Sequence, residues 1–399
     1  MLQLFWFIIY LLLLLLCNHH IKTSLQLINY NLMNQTLMKT LNTTKLNEIW
    51  ILWKRKYNKT YSLYNITINN TFISSSSSSS NSSSILPENV YRRYIWNTYV
   101  YRIGLHNLYY DLNYVTYTLG INQFSDLTWI ELSTLYLNEL SINMHKNELI
   151  HSLHRIKSTL SNFSIITSLN TFNVPDNFDW RTKNTVTNVK NQEKCRCGWA
   201  FASVGALEGQ MKLLSIPLQS LSTQQLVDCT QDYGNYGCTA GLMRYAYDYV
   251  SDYGIQSEQT YPFVGEELPC QHNESQSIVW STTYFTLSGG DEDILKYNVY
   301  QYGPFAGAIS VVHDFFSYKY GIYQSNECSS TDVCHGILII GYGYENDINE
   351  TYWLLKNSWG ITWGEYGYAR IKRNANNMCG IAKMPIIPII KNKTKLSDY

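Results

Sequence analysis

Apolar and polar positions follow three different rhythms along this chain, and each rhythm marks a different kind of element. Residues 2–17 (LQLFWFIIYLLLLLLC) form an unbroken apolar run. It is short for a bilayer span and suits a cleaved secretory signal within residues 1–20. No Lys or Arg precedes it and no clean small-residue cleavage site follows, so a retained membrane anchor is the alternative. Residues 46–61 (LNEIWILWKRKYNKTY) read as an amphipathic helix with Trp50 and Trp53 on one side. Glu88, Arg92, Trp96, Tyr99, Ile103 and Asn107 recur at steps of three or four, the spacing of one helix face. Residues 199–214 predict a buried helix whose first half is small and apolar, and residues 237–250 predict a helix begun after a glycine loop. From Gly303 onward, stretches such as GILIIGYG, TYWLLKNSW and YGYARIKR read as strands. Helices first and strands later point to two subdomains with a cleft between them. Residues 62–87 interrupt the pattern with serine runs, Ser74 to Ser80 and Ser82 to Ser84. A serine tract buries no apolar surface and is expected to stay disordered.

Composition narrows the compartment. The 399 residues carry 30 Lys and Arg against 30 Asp and Glu, so the chain as a whole has no net field to draw in nucleic acid or polycations. Cys17 lies in the apolar run and eight further cysteines follow it. Sequons at Asn34, Asn58, Asn65, Asn162, Asn273, Asn349 and Asn392 agree with a secretory route. Signal, sequons and cysteines together favour an oxidising, secreted or lysosomal setting.

Three segments carry chemistry. They are NQEKCRCGWAFAS (Asn191 to Ser203), HGILIIGYG (His335 to Gly343) and KNSWGITWGEYGY (Lys356 to Tyr368). In this order they resemble papain-like cysteine proteases, most closely the cathepsin L-like branch, and the likeness runs over nearly the whole chain. The resemblance implies an α+β, papain-like two-subdomain fold: a helical left subdomain, a β-barrel right subdomain, a cleft between them, and a helical propeptide in front. It also implies roles. His335 would be the proton shuttle, Asn357 its orienting partner, and Gln192 with the backbone N–H of residue 198 the oxyanion donors. The family's nucleophilic cysteine falls, by gap-free counting from either flank, on Gly198. Glycine has nothing to attack with, and losing the nucleophile of such a set costs about a millionfold in turnover. Cys197 is one residue early, about 100° around the helix. The alternative, hydrolysis by Cys197, needs a shifted register.

The same resemblance extends to the rest of the chain. The Glu88–Asn107 face and GINQFSDLT (Gly120 to Thr128) match the ERFNIN and GxNxFxD elements of cathepsin propeptides. An inhibitory propeptide is thereby expected over 45–128, with the serine-rich insertion at 62–87, then a propeptide tail and processing linker over 129–172 and the peptidase domain over 173–399. Bridges Cys195–Cys238, Cys229–Cys270 and Cys328–Cys379 are implied. Cys197 and Cys334 remain, either as a fourth bridge across the cleft or as free thiols. Ala240 and Gly241 fall at the substrate-pairing edge, Leu242, Met243 and Met384 at an apolar pocket, and Trp359 and Trp363 over the His–Asn contact and the primed side. Core packing is the competing reading for Leu242 and Trp363. Zinc at Cys195-x-Cys197 with His335 is disfavoured by spacing, so no metal and no cofactor is expected. The expected partners are a protein or peptide in the cleft and the chain's own propeptide, without nucleic acid, and with a membrane only through an uncleaved N-terminal segment. Two functions stay open: a secreted zymogen of a cysteine endopeptidase, or a pseudoprotease that keeps the cleft.

Overall fold

The structure is a computed structural model that describes residues 43–62, 65–69, 83–138, 174–287 and 289–391. The apolar run 2–17, most of the serine tract, the propeptide tail and linker from residue 139 to 172 and the sequons at Asn34, Asn162 and Asn392 lie outside the described residues. The chain divides into two compact units, 1–102 and 103–399.

The first unit is organised by tryptophan. Helix α1 (Thr43–Lys56) buries Leu46, Trp50 and Trp53 on one face. Trp50 and Trp53 stack 5.1 Å apart, and Trp96 tilts against Trp50 at 5.4 Å. Trp96 belongs to helix α2 (Glu88–Asp111), whose N-terminal part lies in this unit, where Glu88 pairs with Arg92 one turn on. The predicted helix was to run to residue 61, but α1 ends at Lys56. Asn58 takes a left-handed φ of 49°, and the Lys59 N–H closes back onto the Lys54 carbonyl, the usual way an asparagine stops a helix. Residues 62–87 are not wholly irregular either. Strands β1 (Asn65–Asn69) and β2 (Ser83–Pro87) pair antiparallel and bracket the serine tract. Alternating Ile and Thr in NITIN is a strand pattern that the composition of the whole segment hid.

The second unit begins inside α2 and is an α+β body. Asn107 exchanges two hydrogen bonds with the Leu119 backbone (2.9 and 3.0 Å), tying the end of α2 to strand β3 (Tyr117–Leu119). Helix α3 (Trp129–Tyr136) starts with a capping box between Thr128 and Glu131. After strand β4 (Phe178–Asp179) come helices α4 (Gly198–Leu213), α5 (Thr223–Cys229) and α6 (Met243–Tyr253). Thereafter strands dominate: β5 (Trp280–Thr286), then helix α7 (Glu292–Tyr302), β6 (Phe305–Ile309), β7 (Tyr318–Tyr323), β8 (His335–Glu345), β9 (Glu350–Lys356), β10 (Tyr368–Lys372) and β11 (Ile386–Lys391). The sheet runs β3-β7-β10-β9-β8-β6-β11-β5, with β4 also on β8. Its end strands β3 and β5 do not meet, so the barrel-like subdomain is an open sheet. The α4 helix is buried on nearly all sides because its residues are small and apolar. It packs across β6, β8 and β11, which carries its first turn to the start of β8.

Three disulfides fasten the second unit: Cys195–Cys238, Cys229–Cys270 and Cys328–Cys379. Cys197 and Cys334 are free thiols, so there is no fourth bridge between them. Their surroundings differ: Cys197 lies in the apolar cluster around α4, whereas the Cys334 sulfur accepts the Val311 N–H at 3.4 Å. No helix among the described residues is long and apolar enough to cross a membrane.

Candidate active site

The first residues of α4 and of β8 meet at a contact that only glycines allow. A β-carbon on Gly336 would stand 2.6 Å from the Gly198 carbonyl carbon and the Trp199 nitrogen. The residue before it, His335, is buried to 2 % exposure and turns its ring toward Gly198. A β-carbon built on Gly198 would lie 2.8 Å from His335 Cε1 and 2.9 Å from Nδ1, closer than packed carbons approach. The imidazole thus fills the volume next to the Gly198 α-carbon.

The other side of the ring is fully engaged. His335 Nε2 lies 2.8 Å from Asn357 Oδ1, and the Ser358 N–H also donates to that oxygen at 2.8 Å. An atom that accepts a backbone N–H is the amide oxygen, so Nε2 carries the ring proton and Nδ1, toward Gly198, is bare. Trp359 stacks on the ring at 4.7 Å and is itself fully buried. Burial pushes the imidazole pKa down to about 4, against a smaller upward pull from Asn357. A ring so shifted is neutral at neutral pH.

Gln192 is buried and held at both ends of its side chain. Its Nε2 donates to the Cys195 carbonyl (2.8 Å) and to the Tyr136 carbonyl (3.1 Å), while Ser358 Oγ donates to its Oε1 (2.7 Å). Cys197 caps the N-terminus of α4 without a side-chain bond. Its thiol is completely buried, and burial raises its pKa strongly against a smaller downward pull from a backbone hydrogen bond. Neither Cys197 nor His335 is among the groups that shift the other. Burial likewise raises the Cys334 thiol, against the Val311 N–H.

The remaining sequence-selected residues differ in burial and packing. Trp199 packs so close to Gly241 that a β-carbon there would meet the indole at 2.2 Å. Leu242 is part-buried and donates its N–H to Asn235 Oδ1, Met243 is buried at the start of α6, and Met384 packs partly buried against the α4 cluster. Trp363 does not line a groove wall: it is fully buried, donates to the Phe315 carbonyl and meets Trp359 edge-on at 5.1 Å. The aromatic ring of Phe315 claims it as core.

Sequence reasoning expected the start of 129–172 to run through the cleft but named none of the residues that make contact there. Tyr136 gives its carbonyl to Gln192, the Asn138 N–H donates to the Cys334 carbonyl (2.7 Å), and Asn138 Nδ2 donates to the Gly241 carbonyl (2.9 Å). Upstream, Gln123 Nε2 donates to the Trp359 carbonyl, and Phe124 meets Trp359 and Phe316 edge-on. Also missed was a polar cluster behind Asn357. Thr187 Oγ1 donates to Glu208 (2.6 Å) and receives Lys356 Nζ (3.0 Å), beside a cavity of about 20 Å³. Burial pushes the Lys356 ammonium down to about 8. Its one sequence signal was Glu208, the only acid in α4.

Comparison with known proteins agrees with this architecture. Residues 174–389 match the papain family of cysteine proteases, and residues 50–132 match the cathepsin propeptide inhibitor domain. A cathepsin L-like proteinase of Fasciola hepatica is 39 % identical over 343 residues, covering 86 % of this chain and 93 % of that one. Human cathepsin L2 is 37 % identical over 305 residues, covering 75 % and 86 %. Among solved structures, digestive procathepsin L 3 of Tenebrio molitor larval midgut superposes with a TM-score of 0.70 at 34 % identity, over 86 % of this chain and 99 % of that one. The open sheet, the helix that feeds its first turn to His335 and the strap through the groove are therefore those of a cathepsin L-like member of the papain cysteine-protease family, with its propeptide on the same polypeptide.

Proposed function

We propose that this chain is a peptide-binding member of its family that does not hydrolyse, because Gly198 stands where the attacking thiol belongs. The direction of the missing side chain carries the reading. A β-carbon at 198 points straight at the bare Nδ1 of His335, the nitrogen that would take a thiol's proton. Asn357 and Gln192 then act as orienting and oxyanion-binding groups without a nucleophile to serve. Cys197 does not replace it: a buried thiol held far above its ordinary pKa supplies almost no thiolate. The groove retains its carbonyl acceptors, Cys334 and Gly241, which the propeptide already uses. We extend the reading to location: residues 2–17 act as a secretory signal into an extracellular or lysosomal compartment, in line with three disulfides.

A mechanism-based thiol probe tests the proposal on protein whose propeptide has been cut away by an added endopeptidase. No labelling of the native protein and no peptide hydrolysis are expected. Labelling of native Cys197 together with hydrolysis would overturn it. N-terminal sequencing of the protein recovered from culture medium checks the signal.

A further inference from the structure

The zero net charge of the chain conceals a strong segregation. Residues 43–102 hold eight lysines and arginines against two carboxylates, Glu48 and Glu88. Glu88 is already occupied by Arg92 and the Ser62 N–H. Residues 43–102 therefore carry a net charge of +6, eight cations less two carboxylates. Four of the eight cations, Lys54, Arg55, Lys56 and Lys59, crowd the end of α1. Cations at a helix C-terminus offset its dipole, and Lys54, Lys56 and Lys59 also lie over the Trp50, Tyr57 and Trp53 rings at 5.3, 5.0 and 5.5 Å; neither contact neutralises their charge.

The solvent side of α1 is unusual in a second respect. Its inner face spends Leu46, Trp50 and Trp53 on the tryptophan core. Its outer face also carries large apolar side chains: Ile49 is 43 % exposed and Leu52 is 60 % exposed. Lys45, Ile49, Leu52 and Lys56 follow at steps of four, three and four, so they form one stripe along the helix. Arg55 and the carboxylate Glu48 border it, and Lys45, Glu48, Arg55 and Lys56 are all exposed, so three cations less one carboxylate leave this face a net +2. Two apolar side chains between cations on an accessible helix face match a surface that offers both phosphate charge and hydrocarbon.

We propose that the outer face of α1 docks on anionic phospholipid, with Ile49 and Leu52 entering the interfacial layer and Lys45, Arg55 and Lys56 meeting headgroup phosphates. This surface belongs to the first unit alone and is independent of whether the cleft hydrolyses peptides. A sulfated polysaccharide would satisfy the cations but has no use for Ile49 and Leu52, which is why lipid is the better fit.

Co-sedimentation of the full chain with vesicles decides it, using phosphatidylcholine alone and phosphatidylcholine with about 30 % phosphatidylserine at about 0.1 M salt. Phosphatidylserine is expected to raise binding. Any contribution from residues 2–17 is common to both vesicles and to every variant. Removing three surface cations (K45Q/R55Q/K56Q) is expected to weaken binding to the anionic vesicles about a hundredfold. I49S/L52S is expected to weaken it about tenfold. Equal binding to the two vesicle types overturns the proposal. So does heparin binding that the charge triple abolishes while I49S/L52S leaves vesicle binding unchanged, which assigns the face to a polysaccharide.

Discussion

The two edges of one imidazole ring differ as much as any two regions of this molecule. On the Nε2 edge, Asn357, the Ser358 N–H and the Trp359 indole hold His335 in a buried, hydrogen-bonded seat. On the Nδ1 edge there is a glycine, and the ring itself occupies the volume beside the Gly198 α-carbon. The contrast shows which parts of such a site depend on each other. The seat is built by β8, β9 and a tryptophan, all fixed by core packing, so it persists with nothing on the other edge. Position 198 offers that edge only backbone, and the seat does not depend on what stands there.

The most forceful way to break the contrast is to restore the missing edge. Gly198→Cys, with the propeptide removed by an added endopeptidase, is expected to raise hydrolysis of a fluorogenic peptide at least a thousandfold, against the roughly millionfold worth of a nucleophile. The shortfall comes from the new β-carbon, which His335 must yield to at a starting separation of 2.8 Å. Silence from a well-folded variant would mean that Cys197, Cys334 or Ala240 has also altered the site. Trp359→Ala attacks the intact edge. It is expected to lower stability by about 3–5 kcal/mol and to move the His335 pKa upward from about 4 as water reaches the ring. Thermal melts and NMR titration read the two effects.

His335→Gln sharpens the comparison through pH. The folded state holds His335 near 4, below the unfolded value of about 6.5, so the unfolded chain binds the extra proton first. Stability is therefore fully present above about 6.5 and is lost as pH falls toward about 4, by about 3 kcal/mol in all. The variant should flatten that limb of the pH–stability curve; an unchanged limb would place the titrating group elsewhere. The smallest effect belongs to Cys197→Ser, about 1 kcal/mol for a hydroxyl placed in an apolar cluster, with the His335 titration unmoved. A shifted titration would connect Cys197 to the ring.

Much of the fold could be read from periodicity because the elements that matter are long. The α4 prediction of residues 199–214 differs from the helix by one residue at either end, and the strands after Gly303 lie where alternation put them. Short or composite elements were obscured. Strands β1 and β2 drowned in serine, and β11 reads as an apolar tail until it is seen between β5 and β6. Site residues inside dense motifs, such as Gln192, His335 and Asn357, came together in space. Tyr136 and Asn138 escaped because they act largely through backbone groups, which every residue possesses and no motif records. Trp363 stayed open between core and groove for a related reason: spacing reveals that an indole is near the site, not which way it faces.

The strap at Tyr136–Asn138 makes the cleft a tethered competition. A segment joined to its own receptor presents itself at roughly millimolar local concentration. Three hydrogen bonds from Gln192, Asn138 N–H and Asn138 Nδ2 need be only modestly favourable to hold the groove under that condition. A free peptide of micromolar intrinsic affinity is then outbid until the covalent link is severed. On the reading proposed above, that cut falls to another enzyme, and its abundance times the moment at which the groove opens.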